Sequence, residues 1–327
     1  MKHIVLPDNR QRRLIFYLAM EEFVALELDE DEAFFLWQVP PTVIFGRNQL
    51  MEAEVNVDFC RQHNINLFRR KSGGGCVYAD MGNIMLSCIT GGDNIPFVFD
   101  SYLRRIAFLL QKLGIDAKVS GRNDIMVADR KISGNAFLKY PKKCIIHGTM
   151  LYDSDFEQLE KAITPSSSKL ESKGVASVRK HVANLREFTD IGIEEFKAYL
   201  IEEMCRGEER VLTESEVHRI EEIEATYLEE SFFAGKNPAY SITKSGKIKD
   251  VGEINMKLEM KHGILRQISI SGDFFPIKAD FEEALNQKLG GSILERNTIA
   301  DALRDFDMGE YVLNLTNDQF IEILLKP

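Results

Sequence analysis

The sequence of 327 residues lacks several features that would assign it to a common class. No apolar run approaches the roughly 20 residues that a membrane-spanning helix needs. The N-terminal segment shows no cleavage pattern of a signal peptide, so a cytoplasmic protein without membrane contact is expected. The five cysteines are odd in number and form no CxxC pair, which argues against a disulfide framework and a structural zinc site.

Basic residues are also too few for a typical nucleic-acid-binding protein. The formal net charge is -10, with 41 Lys and Arg against 51 Asp and Glu. Proteins that bind nucleic-acid backbones usually carry a basic surplus, so no nucleic-acid partner is expected. A local basic cluster in such an acidic chain is informative, because it indicates a place where anions bind.

The periodicity of apolar residues predicts strands and helices in mixed order. Hydrophobic residues make up 44% of the chain, enough to bury the cores of one large and one smaller domain. We predict strands at 33–39, 42–46, 65–70, 76–80, 83–90, 117–120, 124–128 and 144–151. We predict helices at 9–27, with Asp8 as its cap, and at 57–64, 98–114, 193–206 and 213–229.

The pattern changes near residue 245, where we predict a domain boundary. Residues 257–275 alternate like a hairpin with its turn near 261–263, and helices are predicted at 279–288, 295–304 and 317–325. A monomer is expected, because the chain has neither sustained heptads nor an obvious apolar patch.

The stretch RRKSGGG (69–75) places three cations, one serine and three glycines in succession. Such a run costs backbone entropy and persists where side chains would obstruct something. It matches neither the Walker lysine pattern nor a GxGxxG that opens a helix. Successive amides in such a turn can bind an anion, and Arg70 can bind phosphate or carboxylate through two hydrogen bonds. The alternative is a flexible hairpin beside an incidental basic patch; the adjacent Arg69, Arg70 and Ser72 favour the anion site.

A second fragment, NDIMVADRKISGN (123–135), offers a carboxylate and a lysine. Asp124 precedes an apolar strand and can hold a divalent cation. Lys131 follows a predicted turn between strands, where a fixed ammonium can neutralise charge that develops on a transferring group. The alternative is a solvated lysine at a turn, which is the usual fate of lysine.

Two further features have a functional and a structural interpretation. His147, in HGTML, begins a strand of small and apolar residues, where a lone histidine is more often structural than catalytic. Residues 164–185 are polar, rich in serine and lysine, and long enough to form a lid over an anionic intermediate. The alternative for this segment is an ordinary linker.

Taken together, RRKSGGGCVYADMGN, NDIMVADRKISGNAF, HGTML and KGVASVRKHVANL resemble the motifs of lipoate–protein ligases, in that order. The resemblance covers nearly the whole chain and is most specific from 69 to 185. It implies an α+β fold, with mixed β-sheets flanked by helices, related to biotin ligases and class II synthetase cores. It further implies a catalytic domain over 1–245 and a smaller α/β accessory domain over 246–327, in which SGDFF (271–275) is similar to the long bacterial ligases.

The resemblance implies a reaction in two steps. Lipoate and ATP with Mg²⁺ give lipoyl-adenylate and pyrophosphate, and an acceptor lysine then takes the lipoyl group and releases AMP. The implied acceptors are the lipoyl domains of 2-oxoacid dehydrogenases, on their E2 subunits, and the glycine-cleavage H protein.

The resemblance also implies roles for individual residues. Lys131 is the implied catalytic residue, in contact with both phosphate and acyl oxygens, and Asp124 is the candidate Mg²⁺ ligand. The implied ATP and adenylate contacts are Arg70, Gly75, Cys76, Val77, Tyr78, Asp124, Lys131, Gly174, Ser177, Arg179 and Asn184. The implied lipoate contacts are Ser72, Gly73, Gly74, Lys131 and His147. The chain departs from the usual family residues at Ala79, Met85, Lys180 and His181, which bears on nucleotide details and acyl-chain preference.

Three alternatives remain open from the sequence. A lipoyl or octanoyl transferase on the same scaffold would skip ATP and use a cysteine thioester, with Cys144 as the candidate. A lipoate-binding or acceptor-binding module would lack catalysis, and a biotin ligase would have a different glycine motif. For acidic acceptors we expect a basic rim formed by Arg69, Lys71, Lys139, Lys142 and Lys143.

Overall fold

The computed structural model of the chain describes residues 1–92, 94–121, 123–163, 181–234, 242–261 and 264–326. The chain divides into two compact units, each assembled from more than one segment. The first unit comprises Met1–Phe45, Met51–Arg70 and Cys76–Phe233, and the second comprises Gly46–Leu50, Lys71–Gly75 and Ala234–Pro327. Two short segments from the N-terminal half, including the glycine run, therefore belong to the second unit. The predicted boundary near 245 falls inside a strand.

The first unit alternates strands and helices along the chain. Its strands are β1 (Lys2–Val5), β2 (Ala33–Trp37), β3 (Thr42–Phe45), β4 (Asn66–Arg69), β5 (Val77–Ala79), β6 (Asn83–Gly91), β7 (Ala117–Ser120), β8 (Asp124–Val127), β9 (Arg130–Lys139), β10 (Lys143–Leu151) and β11 (Glu209–Val211). Its helices are α1 (Leu14–Leu26), α2 (Met51–Glu54), α3 (Val57–Gln62), α4 (Ile95–Lys112), α5 (Phe156–Ala162), α6 (Ile193–Cys205), α7 (Glu214–Thr226) and α8 (Glu230–Ala234), the last of which crosses into the second unit.

Two mixed sheets organise this unit. The larger has the strand order β11-β1-β2-β6-β10-β9-β8-β7, in which β1 is parallel to both of its neighbours and the remaining pairs are antiparallel. The smaller has the order β4-β3-β5, with β3 parallel to β4 and antiparallel to β5. Mixed sheets flanked by helices confirm the predicted α+β class.

Helix α1 lies in the centre of the core of the first unit. Its sequence, LIFYLAMEEFVAL, contains no glycine or proline, and ten of its thirteen residues are buried. A helix that is apolar on nearly all sides must be enclosed, and α1 packs with residues of β2, β6, β10 and α7. The helix begins at Leu14 rather than near residue 9, because the Asp8 carboxylate binds Arg10 and Arg12 instead of capping it.

The second unit is built on an antiparallel sheet of three strands. These are β12 (Ile242–Ile248), β13 (Gly252–Lys261) and β14 (Ile264–Gly272), followed by helices α9 (Phe281–Leu289), α10 (Arg296–Ala302) and α11 (Asn317–Leu324). Residues Ile254, Met256 and Leu258 of β13 alternate with less buried neighbours and pack into a core with the three helices. The described ends of the predicted hairpin are confirmed, and residues 262 and 263 of its turn lie outside the described residues.

None of the helices in the described part of the chain combines the length and the apolar composition that crossing a bilayer requires.

Candidate active site

Lys131 and Asp124 form an ion pair across two neighbouring strands. The ammonium Nζ of Lys131 on β9 lies 2.7 Å from Oδ1 of Asp124 on β8, and about a third of each side chain is exposed (34% and 33%). The ammonium also lies against the backbone of Gly134, where an added Cβ would be 2.5 Å from Nζ. Glycine at 134 therefore leaves room for the lysine in its present position beside Asp124. The predicted cation and the predicted carboxylate are thus in direct contact.

A β-bulge turns Lys131 toward this carboxylate. The pairing of β8 with β9 shifts register between Ile125 and Met126. In a regular strand, Lys131 and Gly134 would face opposite sides of the sheet, because side chains alternate and the two are three positions apart. The extra residue of the bulge places both on the side of Asp124.

The backbone of Lys131 pairs with His181 and Ala183. The N–H of Lys131 donates to the carbonyl of His181 at 2.8 Å, and its carbonyl accepts from the N–H of Ala183 at 2.9 Å. Three residues implied for the adenylate-covering loop, Gly174, Ser177 and Arg179, lie outside the described residues. The residues that follow them at 181 and 183 are bonded to the backbone of the candidate catalytic lysine.

His147 belongs to a buried hydrogen-bond network that spans the core. Its Nδ1 lies 2.7 Å from Oε2 of Glu21 on α1, and the Ser87 hydroxyl donates to the other carboxylate oxygen at 2.5 Å. The indole of Trp37 in turn donates to Ser87 at 2.8 Å. This network explains how a carboxylate can be buried in an apolar helix, since both of its oxygens are bonded. The carboxylate also fixes the orientation of the imidazole.

Glu21, Ser87 and Trp37 were not among the predicted site residues. The sequence feature that could have indicated a buried carboxylate is the pair of glutamates at 21 and 22, in a helix that is otherwise apolar on nearly all sides. At least one of the two had to face the interior, and a buried carboxylate requires partners.

Arg70 and Arg69 are both buried but have different surroundings. The Arg70 guanidinium donates to the carbonyl of Ile44 at 3.3 Å, and burial lowers its pKa to about 10, so it stays protonated at neutral pH. Arg69 donates to the carbonyl of Phe233 at 3.0 Å and lies over the ring of Phe45, 4.7 Å from its centre. Arg69 therefore packs the small sheet of the first unit, and it does not contribute to an exposed basic patch.

The glycine run packs against a segment of the second unit. A Cβ on Gly73 would lie 2.4 Å from the carbonyl oxygen of Phe274 and 2.6 Å from Cδ of Pro276. Gly74 has a positive φ of 88°, and its N–H donates to the same Phe274 carbonyl at 3.3 Å. The bare backbone is thus required by close tertiary packing, and the interpretation as a flexible surface hairpin is wrong. The Gly74 amide is bonded within this unit.

The two residues that flank Gly73 and Gly74 have different surroundings. A Cβ on Gly75 would meet no atom within 4 Å. Ser72 is buried, and its carbonyl accepts from the N–H of Arg47 at 2.9 Å. This bond joins the two loop segments of the N-terminal half that belong to the second unit.

Strand β5 carries Val77 and Tyr78, and Cys76 directly precedes it. In the described part of the chain β5 is an edge strand, paired with β3 alone. The Tyr78 side chain is 1% exposed and packs into a core with Phe45, and burial raises the pKa of its hydroxyl. Any contact of Tyr78 with a ligand must therefore involve its backbone.

Asp80 and Asn184 hold one turn together from two sides. The Asp80 carboxylate accepts from the N–H groups of Gly82 (2.9 Å) and Asp155 (2.8 Å), and burial raises its pKa. The Asn184 amide accepts from the N–H of Ser154 at 2.9 Å and donates to its carbonyl at 3.0 Å. The Asn184 side chain thus connects its own segment to the turn that follows β10.

Cys144 has the properties of a structural thiol. It is fully buried, and burial raises its pKa to about 12, so the thiolate is scarce at neutral pH. Cys144 and His147 are three positions apart on the regularly paired β10, so their side chains point to opposite faces of the sheet. The imidazole therefore cannot activate this thiol.

The predicted basic rim is smaller in the structure than in the sequence. Lys143 donates to the carbonyls of Val24 (3.3 Å) and Leu28 (2.7 Å), and Arg69 is buried. Lys142 is exposed at the turn between β9 and β10. Lys139 also donates to the carbonyl of Gly92 at 3.0 Å, so at least three of the five expected cations are bonded to groups of the first unit.

Two family models match the chain. Residues 14–205 match the lipoyl protein ligase A/B catalytic domain, and residues 237–324 match the bacterial lipoate protein ligase C-terminus. Lipoate–protein ligase 1 of Staphylococcus aureus is 36% identical over 317 residues, which cover 94% of this chain and 95% of the relative. Lipoate–protein ligase LplJ of Bacillus subtilis is 35% identical over 318 residues, with the same coverage of 94% and 95%.

Solved structures show the same fold. P. falciparum LipL1 in complex with lipoate superposes with a TM-score of 0.81 at 20% identity, covering 100% of this chain and 99% of the other. A lipoate–protein ligase A bound with ATP gives a TM-score of 0.62 at 26% identity, covering 71% and 98%. A bipartite ligase of Thermoplasma acidophilum, described with its E2 lipoyl domain, gives 0.65 at 26% identity, covering 74% and 100%.

Proposed function

Because the chain belongs to the lipoate–protein ligase family, we propose that it activates lipoate with ATP and transfers the lipoyl group to an acceptor lysine. The observation that carries this proposal is the Lys131–Asp124 pair. An ammonium that is about a third exposed is held on one face of the sheet by a bulge, next to a carboxylate. The backbone of the same lysine is bonded to His181 and Ala183. Adenylate formation requires such a cation, and no nucleophile of the enzyme's own.

The proposed first step forms a mixed anhydride. A carboxylate oxygen of lipoate bonds to the α-phosphorus of ATP, and the bond from that phosphorus to the bridging oxygen breaks as pyrophosphate leaves. Negative charge builds on the phosphoryl oxygens at this stage. The Lys131 ammonium would neutralise it, which corresponds to electrostatic stabilisation of a transition state.

The proposed second step forms an amide. The neutral amine of the acceptor lysine bonds to the acyl carbon, the bond from that carbon to the AMP oxygen breaks, and the amine releases a proton to solvent. Lys131 lies on a rigid strand with its backbone fixed on both sides, so the same ammonium can serve both steps.

The nucleotide would be held by a cation and by backbone groups. Arg70 is protonated at neutral pH and would bind the adenylate phosphate. Gly75, Cys76, Val77 and Tyr78 would line the nucleotide through their main chain, which is consistent with the edge position of β5 and with the buried Tyr78 ring. Asn184 would act indirectly by holding the end of the adenylate-covering loop, to which we also assign Gly174, Ser177 and Arg179.

Asp124 fits a Mg²⁺ that arrives with the nucleotide. Among the described residues no group of three or more His, Cys, Asp or Glu side chains is placed to hold a metal ion. Mg²⁺ bound with a nucleotide needs one or two protein carboxylates, because phosphate oxygens and water complete its coordination. The carboxylate of Asp124, about a third exposed, meets that requirement, and Mg²⁺ would supply further charge neutralisation at the phosphates.

Ser72, Gly73, Gly74 and His147 would shape the site for the acyl chain. Of these, His147 has an orientation fixed by Glu21, so it offers a defined surface to a ligand. The P. falciparum structure contains lipoate, and the ligase A structure of similar fold contains ATP. These neighbours support lipoate and ATP as the two substrates of this chain.

The proposed acceptors are lipoyl domains of E2 subunits and the glycine-cleavage H protein. The T. acidophilum ligase is described with its E2 lipoyl domain, which supports this class of partner. A monomeric state and a cytoplasmic location stay predictions from the sequence.

The test is a coupled assay with purified protein, ATP, Mg²⁺, free lipoate and an apo lipoyl domain. We expect pyrophosphate release that depends on lipoate, lipoyl-AMP in the absence of acceptor, and a lipoyl mass increase on the acceptor. Cys144→Ser should retain all three activities, because its thiol is buried. Absence of pyrophosphate release together with loss of acyl transfer in Cys144→Ser would establish the transferase instead.

A further inference from the structure

The position of Lys131 depends on the register of β8 against β9. The shift between Ile125 and Met126 brings the lysine to the face of Asp124. Because side chains alternate along a strand, a slip by one residue would turn the lysine to the other face. Some interaction close to the bulge must therefore hold the two strands in this register.

Two asparagines lie at the end of this pairing and bind each other reciprocally. Asn123 donates from Nδ2 to the carbonyl of Asn135 at 2.8 Å. Asn135 donates from Nδ2 to the carbonyl of Asn123 at 3.1 Å, and its backbone N–H donates to the same carbonyl at 3.0 Å. Each side chain is thus bonded to the backbone of the opposite strand. This arrangement fixes which residues face each other directly beside Asp124.

The environment of Asn135 leaves it one orientation. The residue is 5% exposed, and its Nδ2 also donates to the Ser133 hydroxyl at 3.1 Å. Its Oδ1 lies against Gly148 of β10, where an added Cβ would be 2.0 Å away. A strand interior disfavours asparagine, and a buried amide is stable only when it is bonded. The fixed amide is therefore suited to hold a register.

We propose that Asn135 is a positioning residue that acts through Lys131. It holds β8 and β9 in the shifted register, and so keeps the Lys131 ammonium on the face of Asp124, where the reacting phosphoryl group would lie. This inference rests on the proposed role of Lys131 in adenylate formation. It adds a residue that is buried and bonded within the protein.

The first test is kinetic and uses Asn135→Ala in two backgrounds. A misplaced catalytic group lowers turnover more than binding, so kcat for adenylate formation should fall about 10- to 100-fold with the KM values for ATP and lipoate nearly unchanged. In the Lys131→Ala background the same substitution should change kcat by less than about twofold, since coupled residues are not additive. The fall in Tm should be equal in both backgrounds.

Ser133→Ala is the matched control. It removes a buried hydroxyl on the same strand that accepts a hydrogen bond from the Asn135 amide. It breaks no hydrogen bond between β8 and β9. Its kcat should stay within about twofold of the wild type. Asn123→Ala is the milder second variant in case Asn135→Ala does not fold, and it should lower kcat in the same way because it removes one half of the reciprocal pair.

The second test is a crystal structure of Asn135→Ala, or of Asn123→Ala. It shows the position of the Lys131 ammonium independently of activity. We expect the Lys131–Asp124 pair to be broken, with the N···O separation beyond the 2.7 Å of the wild type. An unchanged pair, or an equal fall in kcat with and without Lys131, would overturn the inference. If the wild type forms no adenylate, the proposed function fails, and the crystal structures still decide whether Asn135 holds the lysine.

Discussion

The two fragments RRKSGGG (69–75) and RKISGN (130–135) are similar in sequence but different in structure. In the first, the Arg69 side chain is buried and bonded to the Phe233 carbonyl, and Gly73 lies tightly against Phe274 and Pro276. In the second, Lys131 is a third exposed and is turned by a bulge toward Asp124. Basic residues followed by serine and glycine thus form a tightly packed loop in the first fragment. In the second they provide a partly exposed cation for the candidate active site. The tertiary neighbours, and not the local residue types, decide between the two.

Lys131→Ala should have the largest effect, and the effect should be on rate. Removal of one group that stabilises transition-state charge costs on the order of 10²–10³ in kcat. The free energy of unfolding should change by less than about 1 kcal/mol, because both side chains of the ion pair with Asp124 are about a third exposed to solvent. Adenylate formation and urea unfolding measure the two quantities.

Lys118→Ala is the control for this variant. Lys118 lies on β7 of the same large sheet and forms a 2.8 Å ion pair with Asp116, and both side chains are mostly exposed. Both its activity and its stability should match the wild type. A wild-type rate of adenylate formation in Lys131→Ala would contradict the proposed catalytic role of Lys131.

Arg69→Ala should show the opposite pattern and mainly destabilise the fold. It loses a hydrogen bond from a charged group to the Phe233 carbonyl and a cation–π contact with Phe45, together about 2–3 kcal/mol. Arg61→Ala, which breaks an exposed pair with Asp58, should cost about 0–1 kcal/mol. Equal unfolding free energies for the two variants would contradict the packing role of Arg69.

Gly73→Ala and Gly75→Ala separate two glycines of the same run. The first places a methyl group against the Phe274 carbonyl and Pro276, and overpacking of this kind costs about 1–3 kcal/mol. The second meets open space, so its Tm should stay close to that of the wild type. Similar Tm losses for both would show that the run is not held by contact with Phe274.

Ala128→Gly should have the smallest effect and should stabilise the protein. Ala128 and Asp129 form the turn between β8 and β9 with positive φ values of 48° and 58°. A two-residue turn in which both central residues have positive φ favours glycine. The substitution should therefore add about 0.5–1 kcal/mol to the free energy of unfolding. Asp129→Gly should add less, because aspartate tolerates this conformation better than alanine. A lower Tm for Ala128→Gly would contradict the turn geometry.

Much of the fold could be predicted because apolar periodicity is a local signal. The strands near 33, 42 and 83 and the helices near 98, 193 and 213 are found where the sequence predicts them. Strand β9 was missed as a separate element, because RKISGN contains glycine, lysine and asparagine, which are poor strand formers. Pairing with β8 on one side and β10 on the other overrides these preferences.

The candidate site was less accessible to sequence reasoning, because its geometry depends on distant contacts. Lys131 and Asp124 are seven positions apart, and a strand-turn-strand prediction brings them close together. The partner of His147 is Glu21, on a helix 126 positions away, and no spacing rule connects them. The contact of Gly73 with Phe274 likewise depends on folding of the second unit. The sequence indicates that bare backbone is needed at the glycines, but not what approaches it.

A crystal structure of the protein with lipoate, ATP and Mg²⁺ would test the proposed role of Lys131 most directly. We expect lipoyl-AMP in the site, with Nζ of Lys131 within about 3.2 Å of its phosphoryl or acyl oxygens. An adenylate bound away from Lys131, with the lysine still paired to Asp124 alone, would contradict it.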